Sequence, residues 1–305
     1  VSDAKISDIE VRIPNFKHQK KTFYIKDEKI YFGLCDIKGV GSSAVEKMSE
    51  NFSDLQDLDG LDWIDYLIKF SKKTNSSANQ SMICAGAMDS FQVSRNRMLY
   101  EIEIWNKLTE KEREWIQQRH HDSKENEWIQ ERKWVNITEA IDACKHPKKE
   151  GGGCNNYKRT EVLVDLVKLL NDPPHSLDDT PDWIAWCEKK HLGISITCNR
   201  VDACDGAIQA NTTCKEFLDG KKGYIVVGVE IVKSRPIVTK KGRNPGSEMA
   251  FMSVSDGSCV VEDVVCFPDE WSEYQGLLQE GNTVLIQGER DKKRNSLVVK
   301  RVLQI

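Results

Sequence analysis

The sequence predicts an α+β chain of more than one domain, all-helical in its first part and closing with a small five-stranded barrel. Three observations carry that prediction. Apolar residues recur at helical intervals from Ser42 to Lys107, strand-like runs dominate from Gly223 onward, and 305 residues can enclose two or three cores. Charged residues make up 30%, hydrophobic ones 39%, and the net charge is −4. This is a soluble globular composition and excludes a broadly basic polyanion coat, so contact with an acidic polymer must come from a local patch or from backbone groups. No apolar run approaches the roughly 20 residues of a membrane span, so no membrane partner is expected. The start, VSDAKISDIEV, lacks a basic-then-apolar signal, and a cytoplasmic setting is expected. It also lacks Met, which reads as a fragment or a processed product.

Residues 9–34 read as short strands, with KDEK as the turn between TFYI and IYFG. SSAVEKM then opens a helix on a serine, LDWIDYLIKF supplies the next, ANQSMIC another, and SRNRMLYEIEIWNKL one that starts after Ser94. Residues 109–150 are polar yet hold Trp115, Trp128 and Trp134. EWIQ occurs at 114–117 and again at 127–130. That offset rotates the second copy by roughly 220° in one unbroken helix, so a break is expected near RHHDSK. Amphipathic helices docking their tryptophans fit this region better than an aromatic stacking platform. KHPKKEGGGCNNYK (145–158) is linker-like, and RTEVLVDLVKLL is a helix that stops before Pro173. Beyond Gly223, three strand runs, a short helix opening at Pro268 and two further runs follow the order of an OB-fold, a Greek-key barrel.

Ten cysteines raise the question of a metal, but no C-x2-C pair exists. Cys144, His146 and Cys154 form the best cluster, with Cys187, His191, Cys198 and Cys204 behind it. Their spacings fit zinc poorly, and reduced thiols are the better reading.

In IKGVGSSAVEKM a short helix ends near Lys38, and Gly39-Val40-Gly41 forms a tight turn into the next helix. Glycines permit the positive φ and close approach of such a turn. The amides at the new helix start are then free for a phosphate oxygen, while Val40 points inward. This is the helix-hairpin-helix design, although ordinary helix turns also use G-x-G. A second hairpin-like turn follows at Ala85-Gly86-Ala87, with Arg95 and Arg97 after it.

Tandem hairpins before a barrel, with KIYFGLCDIKGVG, MICAGAMDSF, EKKHLGISIT and VTKKGRNPGSEMAFMSVSDGSCVVEDVVCFPDEW in that order, resemble the C-family replicative polymerases, the DNA polymerase III alpha subunits of bacteria and phages. IEVRIPNFKHQKKTFYI resembles the end of that family's fingers region. The resemblance divides the chain into a fingers-like end at 1–34, tandem hairpins at 35–108, a helical insertion and linker at 109–192 and an OB-fold at 193–305. It implies a non-catalytic C-terminal part of a DNA-directed DNA polymerase, a nucleotidyltransferase acting in DNA replication. The palm carboxylates and their Mg2+ would lie upstream, in cis or on a separate chain. No aspartate pair here replaces them; LDDTP and DLDGLD read as turn or helix-surface charges.

The resemblance further implies that Lys38 and the amides of Gly39, Gly41 and Ser42 hold one phosphate of duplex primer–template DNA. Arg95 and Arg97, beyond the Gly86 turn, would neutralise another. The barrel would guide single-stranded DNA with Lys240, Lys241 and Arg243 on the loop after its first strand. Phe251 could stack a base, although its place in the strand pattern favours the barrel core. The family's sliding-clamp motif has no convincing copy, QGLLQ lacking the aromatic. The competing readings are a stand-alone structure-selective DNA-binding protein of repair or recombination, and a scaffold of interaction helices attached to a barrel.

Overall fold

The structure, a computed structural model, describes residues 4, 9–52, 58, 60–125, 134–146, 154, 159–240, 245–291 and 294–305. Strand β1 (Val11–Arg12) lies parallel to β3 (Lys29–Tyr31), which pairs antiparallel with β2 (Tyr24–Lys26). Asp27 and Glu28 form the connecting turn with φ of 50° and 59°, the left-handed pair that a two-residue hairpin requires. Helices follow in the order α1 (Ser42–Phe52), α2 (Trp63–Lys69), α3 (Ser76–Cys84), α4 (Arg95–Asn106) and α5 (Glu110–Glu125). After them come α6 (Ile137–Cys144), α7 (Thr160–Asn171) and α8 (Pro181–Leu192). Asp62, Asn75, Ser94, Asn136 and Thr180 each cap a helix by accepting an amide hydrogen with the side chain.

One hydrophobic core joins these helices. Phe16 meets Tyr66 edge-on at 5.2 Å, and Trp63 donates its indole N–H to Glu101 at 2.6 Å. The same core continues through Ile116, Trp134, Ile141, Cys144, Leu163 and Leu166. The division expected at residue 109 therefore coincides with no gap in the packing.

The helix break expected near RHHDSK is corrected: α5 runs unbroken through that stretch. The reason is that its inner face keeps helical period there. Ile116 and His120, one turn apart, are both buried, and His120 Nε2 sits 2.6 Å from Asp65 Oδ1 on α2. The second EWIQ copy lies outside the described residues.

Beyond the short helix α9 (Cys214–Leu218), five strands close a barrel: β4 (Ile225–Val238), β5 (Glu248–Ser255), β6 (Val260–Cys266), β7 (Thr283–Arg290) and β8 (Leu297–Gln304). Their order is β4-β5-β6-β8-β7, with α10 (Pro268–Tyr274) between β6 and β7. This is the OB-fold. Strand β4 pairs with β7 along its first half and with β5 along its second, and a register shift between Ile231 and Lys233 bends it around the corner. Ile225, Val227, Val229 and Ile231 alternate into a second core that Trp271 of α10 joins.

Helix α8 ties the two cores together. Its Glu188, fully buried, accepts from the Arg95 guanidinium at 2.9 Å with one oxygen, and from the amides of Ile196 and Thr197 at 2.6 and 2.8 Å with the other. Its neighbour Lys189 pairs with Glu230 on β4. Among the described residues, no helix is long and apolar enough to cross a membrane.

Candidate nucleic-acid interface

The first glycine turn begins after a single 3-10 turn, Leu34–Asp36. Ile37 and Val40 are buried in the helical core, and the Val40 amide donates to the Ile37 carbonyl at 3.0 Å, so the tip is pinned by its own apolar residues. Gly39 has φ of +95°, and a Cβ there would fall 2.8 Å from Ser81 Oγ on α3. Only glycine fits that position. Gly41 plays a different part. Its carbonyl accepts the amides of Ala44 and Val45 at 3.0 and 3.3 Å and so begins α1.

The amides of Gly39, Gly41 and Ser42 meet no acceptor among the described residues, and all three residues are exposed. They belong to an exposed turn that leads into the positive end of a helix dipole.

Positive charge gathers at this end. Lys38 is exposed, and its amide donates to the His191 carbonyl of α8 at 2.8 Å, while His191 Nδ1 lies 3.4 Å from the Lys38 carbonyl oxygen. Burial, with Lys190 and Lys38 as neighbouring charges, holds the His191 imidazole below its ordinary 6.5. The basic last turn of α8, Lys189-Lys190-His191, was the sequence signal for this extension. It could not be connected to the hairpin because more than 140 residues separate the two.

The second glycine turn is built differently, and the expectation for it is corrected. Gly86 has φ of +77°, but its amide donates to the Ile83 carbonyl at 2.9 Å. A Cβ there would land on the Arg95 guanidinium. Arg95 is 1% exposed. It binds both oxygens of Asp89 at 2.9 and 2.7 Å, Glu188 at 2.9 Å and the Cys84 carbonyl at 3.1 Å. Burial pulls the Arg95 pKa down, and the hydrogen bond and charge of Asp89, with the charge of Glu188, more than reverse it.

Arg95 is thus a core ion with its partners inside, not a phosphate ligand. The amides at the start of α4 are taken as well, since Asp179 accepts from Arg95 at 2.7 Å and from Asn96 at 2.9 Å. A carboxylate of the chain occupies the place a phosphate would take. The aspartates of LDDTP carried that signal, although they read as surface charges in the sequence. Arg97 remains exposed and reaches Glu101 at 3.4 Å.

On the barrel, Phe251 corrects the core expectation: it is 36% exposed and points outward. Its neighbours Ala250 and Met252 take the inward positions of β5, and the period-2 pleat turns Phe251 to the other face. Phe251 stands opposite Arg235 of β4 and Val265 of β6. Phe267, two residues beyond Val265, is 44% exposed just past the end of β6. Lys240 is exposed on the β4–β5 loop, as expected from its position, and Lys241 and Arg243 lie outside the described residues.

The remaining candidate cluster separates. Cys144 is buried in the core and its carbonyl accepts the Cys154 amide at 3.4 Å, while His146 is exposed. Among the described residues, no three His, Cys, Asp or Glu side chains come together as a metal group.

Two architectures thus sit on one chain, a glycine-bounded hairpin with open amides and a small Greek-key barrel, the combination of a nucleic-acid-binding region. Residues 8–98 match the helix-hairpin-helix motif family. Over 99% of its length the chain is 22% identical to the DNA polymerase III subunit alpha of Staphylococcus aureus (strain Mu50), and over 97% it is 24% identical to that of Bacillus subtilis (strain 168). The chain spans about a quarter of those relatives, 24% and 22% of their lengths. The chain is thus similar to the DNA polymerase III alpha subunits over nearly its whole length, as its motifs indicated.

Proposed function

We propose that this chain holds primer–template DNA for a replicative polymerase, gripping the duplex at the first hairpin and guiding single-stranded template over the barrel. The observation that carries the reading is the Gly39–Ser42 turn, whose exposed amides meet no acceptor among the described residues and lie beside Lys38. Backbone donors at a helix start grip a phosphate without reading sequence. On the barrel, Phe251 and Phe267 offer ring faces for bases, with Arg235 and Lys240 on the backbone path. Lys241 and Arg243 would extend that path along the same loop. Arg97 is a further phosphate contact at the edge of the duplex. The second hairpin serves as scaffold.

On this reading, nucleotidyl transfer would be supplied by residues outside this chain. Among the described residues, Asp65 faces His120 and Lys69, and half-buried Asp89 and buried Glu188 face Arg95, so these carboxylates do not suit a two-metal centre. The Mg2+ ions and palm carboxylates would come from a preceding segment or a separate polypeptide.

The test is fluorescence anisotropy of a blunt duplex over a salt series. Binding independent of base sequence is expected, and Lys38→Ala should lower the slope of log K against log salt by about 0.9. Absence of duplex binding, or an unchanged slope in a folded variant, would overturn the reading.

A further inference from the structure

Trp186 on α8 is 49% exposed, an unusual place for the largest apolar side chain, and Lys190 one turn on holds its ammonium 4.8 Å over the ring. The helix that presents it is fixed at both ends and in the middle. Thr180 caps its start, with Pro181 at the first position, and Gly193 ends it with φ of +80°. Glu188 is locked to Arg95 and to the amides of Ile196 and Thr197. Exposure of Trp186 is therefore imposed by a rigid frame and is not the fraying of a loose segment. The last turn of this helix touches the Lys38 backbone, and Lys189 beside it pairs with Glu230 of the barrel. Trp186 and Lys190 thus stand on a helix that contacts both the glycine hairpin and the barrel.

From this placement we infer that Trp186 and Lys190 form a junction site, the ring stacking on an unpaired base where duplex gives way to single strand and the ammonium meeting the adjacent phosphate. The inference rests on the reading that the hairpin holds duplex and the barrel holds single strand, because only then must the junction pass α8. The ligand chemistry follows from the side chains. A ring face with a cation beside it suits a planar base and an anionic linkage, without reading which base is present. Inside paired DNA every base is already stacked on both faces and offers Trp186 nothing. The site therefore adds selectivity for a junction and not general affinity.

The experiment compares the whole chain on a blunt duplex and on the same duplex extended by a single-stranded overhang. Trp186→Ala should weaken junction binding about tenfold, as expected for loss of one base stack, and leave blunt-duplex binding unchanged. Trp186→Phe should restore most of the difference, since it keeps a ring face, whereas Trp186→Leu should not. Equal losses on both DNAs, or no loss on the junction, would overturn the proposal; circular dichroism and thermal melting confirm that the variants are folded. Lys38→Ala, measured in parallel, should weaken both DNAs. If Lys38→Ala changes neither DNA while Trp186→Ala still discriminates, the hairpin reading fails and the stacking site stands. The reverse pattern removes the stacking site alone.

Discussion

Gly41→Asp separates the phosphate-holding role of the hairpin from its structural role, because the two predict opposite signs. Position 41 has open space, with no atom within 4 Å of where a Cβ would sit, and no left-handed backbone that a side chain would strain. It is the residue just before α1, whose carbonyl accepts the first amides of the helix. Aspartate is a better residue there than glycine by a few tenths of a kcal/mol, and a carboxylate at the positive helix end adds about 0.3–1 kcal/mol. The folded protein should be slightly more stable. The same carboxylate sets a negative charge beside the Gly39, Gly41 and Ser42 amides and opposes an incoming phosphate there. A hydrogen bond to a charged group contributes about 1.5–3 kcal/mol, so duplex affinity should fall about ten- to hundredfold. Anisotropy titration with a blunt duplex, alongside urea unfolding, reads both quantities. A variant that binds duplex like the unaltered chain would refute the claim that these amides hold phosphate; one that unfolds more easily would refute the conformation assigned to Gly41.

Other substitutions divide ions that support the fold from ions that meet DNA. Arg95→Met should destabilise the protein by about 3–5 kcal/mol, because it strands Glu188 and Asp89 without their partner; a folded Arg95→Met protein with a lower salt slope would restore Arg95 as a phosphate ligand. Phe251→Ala should weaken single-strand binding about tenfold with little change in melting temperature, since the ring faces solvent; a large loss of stability with unchanged binding would make it a packing residue. Glu112 is held below its ordinary 4.5, because its hydrogen bonds from Arg159 and Thr109 outweigh the opposing effect of burial. Its stabilising contribution is present above pH 4.5 and is lost as pH falls through the lower folded value, so Glu112→Gln should flatten the acid side of the stability curve. His191 should take up a proton when a phosphate arrives, strengthening duplex binding as pH falls toward the lowered pKa of the free protein; His191→Gln should remove that pH dependence.

Much of the fold was legible because it rests on short-range rules. The KDEK turn, the serine before α4, the proline opening α10 and the strand runs of the barrel each carry their signal within a few residues. The first glycine turn was legible for the same reason. What could not be read depends on partners distant in sequence. Arg95 has the sequence signature of a phosphate ligand, but Glu188 and Asp179, more than 80 residues away, claim its side chain and its amide. The unbroken α5 likewise depends on Asp65 receiving His120, a pairing no periodicity announces. Phe251 faces outward because Ala250, Met252 and Val254 hold the inward positions of β5 without interruption, a parity set by smaller side chains than the ring beside them.

Glu188 has a consequence for scale. One carboxylate, with no contact to solvent, bolts the helical half to the strap that leads into the barrel, and Lys189 adds a second fastening. Pulling the strap away from the helical half would strand a buried charge. Under the proposed function, the span between the duplex grip and the single-strand path is accordingly set by these few ionic fastenings.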